Sequence, residues 1–355
     1  MMKFPIALFA LVVSLLVVSC KKDSVPTPSK PTDETLLKAF FDKNATPAET
    51  FTLNAATGGV LTSSKGTQFD FPANALLDAA GQPVTGNVTV RVKEMFAAAD
   101  MLLNDKPTGT ADGKMLISFG EFKLDARQGE KVLKLRDTSR VKGQAIFKPQ
   151  VAGIGREIPM WDGDSAVQQT NSGLDYNALQ VTKTLYVKRG VAWNQLPQFA
   201  VGNTGTGKID FPIDKLGQWR NCDVLMSDPR PKTTLMCYFG SRFNVATGAS
   251  YQGSEPTMIF FKPKNTPTLI KLYNVIQNPI AGKEGFYSYQ NSMPVGMEGT
   301  FLAMSVIDGK YYAEMLENAI VPTPVGGAIF VSLTFNPIEK TEAAFLAMIQ
   351  SLNTK

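Results

Sequence analysis

The clearest structural signal in the chain is the alternating run Gly86-Asn87-Val88-Thr89-Val90-Arg91-Val92. Its three valines alternate with polar residues, so an extended segment here has one apolar face and one polar face. A period of two residues is typical of a β-strand that lies between a core and solvent. Shorter alternating runs, bounded by turn-forming residues, occur at 69–71, 122–126 and 133–136. The pattern predicts a mainly β protein with antiparallel sheets.

The length and the turn signals predict more than one β-domain. A chain of 355 residues is long enough for about two domains. An Asp-Gly pair between alternating runs, in Ile307-Asp308-Gly309-Lys310, is typical of a tight hairpin. We expect two or more antiparallel β-sandwich-like domains. The expected sections are a short helix with a first β-sandwich over 34–150, strands that pack on or extend this sandwich over 151–220, a second β-domain over 221–335 and a C-terminal helix over 336–355.

Two short helices are predicted at the ends of this body. The first covers 33–41, with a Thr or Asp N-cap and two acidic residues in its first turn. The second runs from Thr341 to Leu352. Its apolar residues recur at intervals of three and four, which is the period of an amphipathic helix. Those apolar residues are Phe345, Met348, Ile349 and Leu352. We expect this helix to dock on the last β-domain.

The N-terminal residues carry a targeting signal. A basic start at Lys3 is followed by the apolar run 4–18. About 20 residues are needed to span a membrane as a helix, so this run suits the apolar region of a secretory signal. It ends at Ser19-Cys20, which resembles the bacterial lipobox. The resemblance implies a signal peptide over 1–19 and a lipid-modified Cys20. The competing interpretation is an ordinary signal peptide with an incidental cysteine.

The segment 20–33 is rich in Pro, Ser and Thr and predicts an extended tether. Two or three acyl chains on Cys20 would anchor the protein stably, whereas one chain is marginal. Lys21-Lys22-Asp23 is similar, in part, to the surface-export signal of Bacteroidota lipoproteins. We therefore expect an outer-membrane location, and both the surface and the periplasmic face stay open.

A stretch of the body resembles the β-sandwich domain shared by ankyrins and netrin receptors. The segments that carry the resemblance are Gly58-Gly59-Val60, Phe69-Asp70-Phe71-Pro72-Ala73-Asn74-Ala75-Leu76 and the alternating run 86–92. The whole chain is similar to uncharacterised Bacteroidota cell-envelope lipoproteins that carry this domain after a lipobox. The resemblance implies a structural and interaction module, and it carries no catalytic residue to this chain.

The composition excludes several kinds of chemistry. The chain has no His and three Cys. It therefore has no Ser-His-Asp triad, no His-ligated zinc and no Cys₄ cluster within one chain. We expect no enzymatic activity, no cofactor and no metal.

Nucleic acid and nucleotide are not expected as partners. The net charge is +5, and the basic residues are scattered rather than clustered. The spacing of Gly202 to Lys208 fits a phosphate-binding loop, but Ile209 follows where a hydroxyl is needed. This segment is therefore interpreted as a Gly-rich turn.

Two cysteines are candidates for a disulfide bond. Cys222 and Cys237 flank a turn-rich centre around Pro229 and Arg230. A hairpin there would place them on opposite strands at a distance compatible with a disulfide. An oxidising compartment favours the bond. The alternative is two buried thiols, because a register slip of one residue turns one cysteine to the other face.

Two serines are candidates for O-glycosylation. Asp23-Ser24-Val25 and Asp164-Ser165-Ala166 resemble the Asp-Ser/Thr-apolar acceptor of Bacteroidota protein O-glycosylation. Ser24 is the better candidate because the tether is accessible.

Together, these features predict a lipid-anchored, non-enzymatic envelope protein that acts as an adhesion, scaffold or ligand-binding module. Its expected partners are membrane lipid, through acylated Cys20, and envelope proteins or glycans.

The alternative is a glycan-binding or weakly hydrolytic accessory of a polysaccharide-uptake system. In that case, Trp161, Trp193 and Trp219 would stack on sugar. Glu94 and Glu121 are the carboxylates that could in principle pair for hydrolysis. Buried tryptophans would favour the first hypothesis.

Overall fold

The described part of the chain is mainly β, with several antiparallel sheets and four short helices. The computed structural model describes residues 31–110, 113–146, 157–169, 186–251, 254–276 and 284–355. Residues Thr32–Lys355 form one compact unit. The prediction of a mainly β fold with antiparallel sheets is confirmed, and so is the C-terminal helix.

The elements have the following bounds. The helices are α1 (Asp33–Asn44), α2 (Ala98–Leu103), α3 (Asn244–Tyr251) and α4 (Glu342–Ser351), with 3₁₀ turns at Ser241–Phe243 and Leu352–Thr354. The strands are β1 (Glu49–Asn54), β2 (Gly59–Thr62), β3 (Gln68–Phe71), β4 (Leu76–Leu77), β5 (Asn87–Met95), β6 (Leu116–Gln128), β7 (Lys131–Val132), β8 (Lys134–Leu135), β9 (Val141–Ile146), β10 (Glu157–Gln169), β11 (Tyr186–Asn203), β12 (Lys208–Ile213), β13 (Trp219–Leu225), β14 (Lys232–Phe239), β15 (Thr257–Pro263), β16 (Ile270–Lys271), β17 (Asn274–Val275), β18 (Gly285–Tyr287), β19 (Met293–Pro294), β20 (Glu298–Ile307), β21 (Lys310–Ile320), β22 (Phe330–Phe335) and β23 (Ile338–Lys340).

The first half of the body forms one large sheet. Its strand order is β1-β5-β6-β13-β10-β11-β12-β9-β3-β2, and β7 pairs with β6. Strands from both ends of this order place their apolar residues in one core, so the sheet curves around it. We call this the large-sheet core; Val90, Phe122 and Phe211 lie in it. The valines of the opening alternation are therefore buried, as predicted.

Two smaller sheets form the second half. One has the order β16-β15-β20-β21-β23, and the other has β17-β18-β14-β19 with β22 beside β14. The β14–β22 pair is parallel. Strand β15 is buried along its whole length because its two faces lie in different cores. This double burial explains the continuous apolar run Met258–Phe261.

Helices α1, α2 and α4 cover one face of the β15–β20–β21 sheet and form with it what we call the helix core; Leu37, Leu102, Leu302 and Ile349 lie in it. The docking of α4 agrees with the sequence analysis, and its buried residues are Phe345 and Ile349. The sequence pattern places α1 with the first β-sandwich. Instead, the ring of Phe40 on α1 lies 5.1 Å from that of Phe345 and 5.4 Å from that of Tyr311.

A polar contact fixes the start of α1 on the same sheet. The predicted Asp-Gly hairpin joins β20 to β21, and both turn residues have positive φ. The Asp33 carboxylate accepts hydrogen bonds from the backbone N–H groups of Asp308 (3.0 Å) and Gly309 (2.8 Å). The first helix therefore packs on the second half of the chain as well as on α2, since its buried face shares the helix core with both and its first residue binds the β20–β21 turn.

Within the described residues, no helix combines the length and the apolar character needed to cross a membrane.

Candidate functional site

Three of the predicted site residues cannot be evaluated structurally. Cys20 and Ser24 lie outside the described residues. The backbone of Ser165 belongs to β10, but its side chain is outside the described part. The lipid-attachment and O-glycosylation assignments therefore remain predictions from the sequence.

The predicted bridge between Cys222 and Cys237 is not formed. Both cysteines are free and buried. Cys222 lies on β13, which pairs with β6 and β10, whereas Cys237 lies on β14, which pairs with β18, β19 and β22. The expected hairpin is absent because the chain leaves the large sheet after β13. Burial raises the pKa of both thiols.

Two of the three candidate tryptophans are core residues. Trp161 and Trp193 are 4% and 1% exposed. Each indole N–H donates to a backbone carbonyl, that of Asp223 for Trp161 (2.8 Å) and that of Pro107 for Trp193 (2.9 Å). A ring that is buried and hydrogen-bonded in this way offers no face to a sugar.

The two candidate carboxylates project from opposite faces of the large sheet. Residues directly opposite each other in an antiparallel pair share a face. Glu94 is opposite Phe122, which lies in the large-sheet core, and Glu121 is opposite Met95, which lies in the helix core. The pair therefore lacks the facing arrangement that a glycosidase requires.

Trp219 is different, because it is half-buried and lines an open cavity. The cavity has a volume of ≈ 290 Å³, close to the smaller ligand pockets of proteins. It lies where α1, β5, the segment after α2, β11 and β13 meet. We call it the lysine cavity, and its polar lining includes Lys38, Asp42, Lys93, Asn104, Asp105 and Lys106.

Two lysines in this cavity lack a carboxylate partner. Among the described residues, Lys93 makes no hydrogen bond and no ion pair. Lys106 reaches only the backbone carbonyls of Asp105 (3.3 Å) and Gly190 (3.4 Å), and its Nζ is 5.9 Å from the Trp219 ring centroid. Burial lowers the pKa of both lysines, and repulsion from Lys106 lowers that of Lys93 further. Nearby carboxylates oppose this effect without forming an ion pair, Asp42 for Lys93 and both Asp105 and Glu121 for Lys106. The third lysine of the cavity, Lys38, is already paired with Asp42 at 2.5 Å.

The position of Lys106 follows from the way α2 ends. The N–H of Lys106 bonds to the carbonyl of Met101, and the N–H of Asp105 bonds to that of Leu102. This is the Schellman pattern, in which glycine is usual at the left-handed position. Here Asp105 takes that position, with φ 54°. Asp tolerates this conformation better than most residues other than glycine, and an interaction of its side chain holds it here.

That interaction is a buried ion cluster around Lys271. The Lys271 Nζ lies 3.0 Å from Asp105 Oδ1 and 3.0 Å from Glu255 Oε1. Side chains of Lys271 and Glu255 are each 2% exposed, and Glu255 also has a positive φ of 49°. One lysine on β16 thus holds two strained acidic residues from different loops behind the lysine cavity.

Gly190 lines the cavity at a position where no larger residue would fit. Its φ is 141°, and an added Cβ would lie 2.2 Å from the Tyr273 hydroxyl. Burial, together with the nearby charges of Asp105 and Glu255, raises the pKa of Tyr273. Strand β11 can approach the ion cluster this closely only with glycine at this position.

A second buried polar cluster lies on the outer face of the large sheet. The Ser118 hydroxyl donates to Asn221 (3.0 Å), whose amide donates to the Asp223 carboxyl (2.5 Å). Glu121 is fully buried beside them, and burial and the charge of Asp223 raise its pKa. Burial raises the pKa of Asp223 to about 8. The cluster is closed to solvent, and Lys106 of the lysine cavity is close enough to lower the pKa of Glu121 against the larger effect of burial.

Sequence reasoning missed the lysines of the cavity. Lys93 continues the alternation of β5 as an ordinary outward residue, and Lys106 follows a short helix that the sequence analysis did not predict. The acidic residues gave no signal, because Asp105 and Glu255 stand 150 residues apart. Within the described ranges, no group of His, Cys, Asp or Glu could hold a metal ion.

Comparison of the chain with family models, with curated proteins and with solved structures finds no match.

Replacing Lys271 by Met should lower the free energy of unfolding by about 3–5 kcal/mol, because two buried carboxylates lose their counter-charge. Urea unfolding of both proteins measures the difference. Lys264→Met is the matched control, since Lys264 pairs with Glu298 at the same distance, 3.0 Å, in an exposed position. That control should cost less than about 1 kcal/mol. Equal losses in the two variants would contradict the importance of the cluster.

The buried Asp223 should make stability depend on pH. Its pKa is about 8 in the folded state against an ordinary 3.8, so the folded protein holds the proton that the unfolded chain releases. The free energy of unfolding should therefore fall as the pH rises from about 4 to about 8, by up to about 1.4 kcal/mol per pH unit. Asp223→Asn should reduce this slope, whereas Asp210→Asn, at an exposed position, should not. Unfolding curves measured across this pH range test the difference; identical slopes would refute it.

Proposed function

We propose that this chain is a lipid-anchored protein of the bacterial cell envelope, at the outer membrane, whose β-rich body binds a ligand without converting it. The anchoring part rests on the lipobox at Ser19-Cys20 and on the tether that follows it. Acyl chains on Cys20 would hold the protein at the membrane, and the tether would let the body stand away from the lipid.

The observation that carries the ligand-binding part is the pair Lys93 and Lys106 in the lysine cavity. A buried or half-buried ammonium group is costly unless an anion compensates it. Neither lysine has a carboxylate partner among the described residues, yet both line a space large enough for a small molecule. An anionic ligand would supply the missing charge.

The absence of a facing carboxylate pair at Glu94 and Glu121 supports binding rather than hydrolysis.

A second candidate function is glycan binding within a polysaccharide-uptake system. Trp219 favours it, because its half-buried ring lines the same cavity as the two lysines. Trp161 and Trp193 are buried and offer no ring face to a sugar, so they favour the first candidate function, ligand binding without a glycan platform.

Cys20→Ala should release the full-length protein from membranes, because it removes the atom to which lipid would be attached. Membrane fractionation measures the change, and Ser29→Ala, a tether substitution, should leave the protein in the membrane fraction. Continued membrane association of Cys20→Ala would refute the anchoring part of the proposal.

Inorganic phosphate should raise the melting temperature of the full-length protein by binding at the lysine cavity. Phosphate also stabilises folded proteins in general, so the comparison with variants is decisive. Lys93→Met should show a smaller, non-saturating rise, and Lys264→Met should match the unmodified chain. A shift in Lys93→Met equal to that of the unmodified chain would refute anion binding at this site.

A further inference from the structure

We propose that the lysine cavity binds an acidic sugar, with the carboxylate of a uronic acid at Lys93 and Lys106 and the ring of the sugar against Trp219. This inference rests on the proposed function and names the chemical class of its ligand. Three features of the cavity support it: its charge, its apolar surface and its size.

The charge of the cavity calls for a small anion. Lys38 and Asp42 neutralise each other at one side, and the Asp105 carboxylate is held by Lys271 behind the wall. Lys93 and Lys106 form no ion pair with any residue that the structure describes. With the two carboxylates and the one ammonium group of the Lys271 cluster counted, the groups around the cavity keep one net positive charge. The two lysines' contacts to backbone carbonyls are long or absent, so a carboxylate can approach without breaking a strong interaction.

The apolar surface beside these charges distinguishes the ligand from a simple inorganic anion. Lys106 Nζ lies 5.9 Å from the centre of the Trp219 ring, so charge and ring face the same small volume. Phosphate or sulfate would satisfy the lysines but would offer no apolar face to the part of Trp219 that lines the cavity. A pyranose ring presents an apolar C–H face, and in a uronic acid the carboxylate is attached directly to that ring.

The remaining lining suits the hydroxyl groups of a sugar. Asn104, Asp42 and the backbone carbonyl of Gly190 offer hydrogen-bond donors and acceptors around the two lysines. A volume of ≈ 290 Å³ accommodates a single sugar unit and is small for a nucleotide or a large aromatic acid. Polar groups that converge around one apolar surface are the usual composition of a small-molecule site.

The wild-type chain alone can test this assignment. Titration of the full-length protein, in detergent, with D-glucuronate, D-glucose, acetate and inorganic phosphate should show glucuronate binding at least 10-fold more tightly than each of the other three. Intrinsic fluorescence follows the same titration, because Trp219 lines the cavity while Trp161 and Trp193 are buried. Phosphate that binds as well as glucuronate would overturn the sugar assignment and leave the proposed anion site intact. If none of the four binds, both proposals fail.

Variants separate the two parts of the recognition. Lys93→Met should reduce the preference for glucuronate over glucose about 10-fold, because it removes a charge. Trp219→Leu should reduce the preference for glucuronate over acetate about 10-fold, because it removes the ring surface. Lys264→Met should leave all affinities unchanged, and thermal unfolding shows whether each variant is folded. An unchanged preference in both cavity variants would overturn the proposal.

Discussion

The arrangement of the molecule depends on how one buried positive charge, that of Lys271, is compensated. An ammonium group that leaves water without a counter-charge costs several kcal/mol. Lys271 obtains two carboxylates, from Asp105 and Glu255, and both residues adopt left-handed backbone conformations to reach it. The cluster thereby ties a loop of the first half of the chain to a strand and a loop of the second half.

This tie has a direct effect on the candidate site. Asp105 is the left-handed residue that ends α2, and Lys106 is the next residue. With Asp105 fixed, the backbone of Lys106 is fixed as well, and its side chain lies between Gly190 and Trp219. Asp105 and Glu121 lie close enough to raise the pKa of Lys106 against the larger effect of burial, but neither forms an ion pair with it. Stability and the proposed binding property therefore share one set of contacts.

Much of the local structure was predictable because it rests on neighbouring residues. The alternation of β5, the Asp-Gly hairpin and the apolar face of α4 each depend on a few consecutive residues, and all three are present. Long-range pairings were less predictable. The cysteine hairpin failed because β13 and β14 join different sheets, and α1 packs on strands more than 200 residues away. Nothing in the spacing of those residues distinguishes these partners from others of equal hydrophobicity.

The sequence by itself determined the β class of the body, the helices at its two ends and the prediction of a lipid anchor. These features depend on periodicity, on local turn chemistry and on a contiguous signal, all of which are local properties of the chain. Tertiary structure alone decided which tryptophan lines a cavity, which carboxylates face each other and which lysines form no ion pair in the described part of the chain. Those properties depend on distances between segments that are remote in sequence, and packing of the whole chain sets those distances.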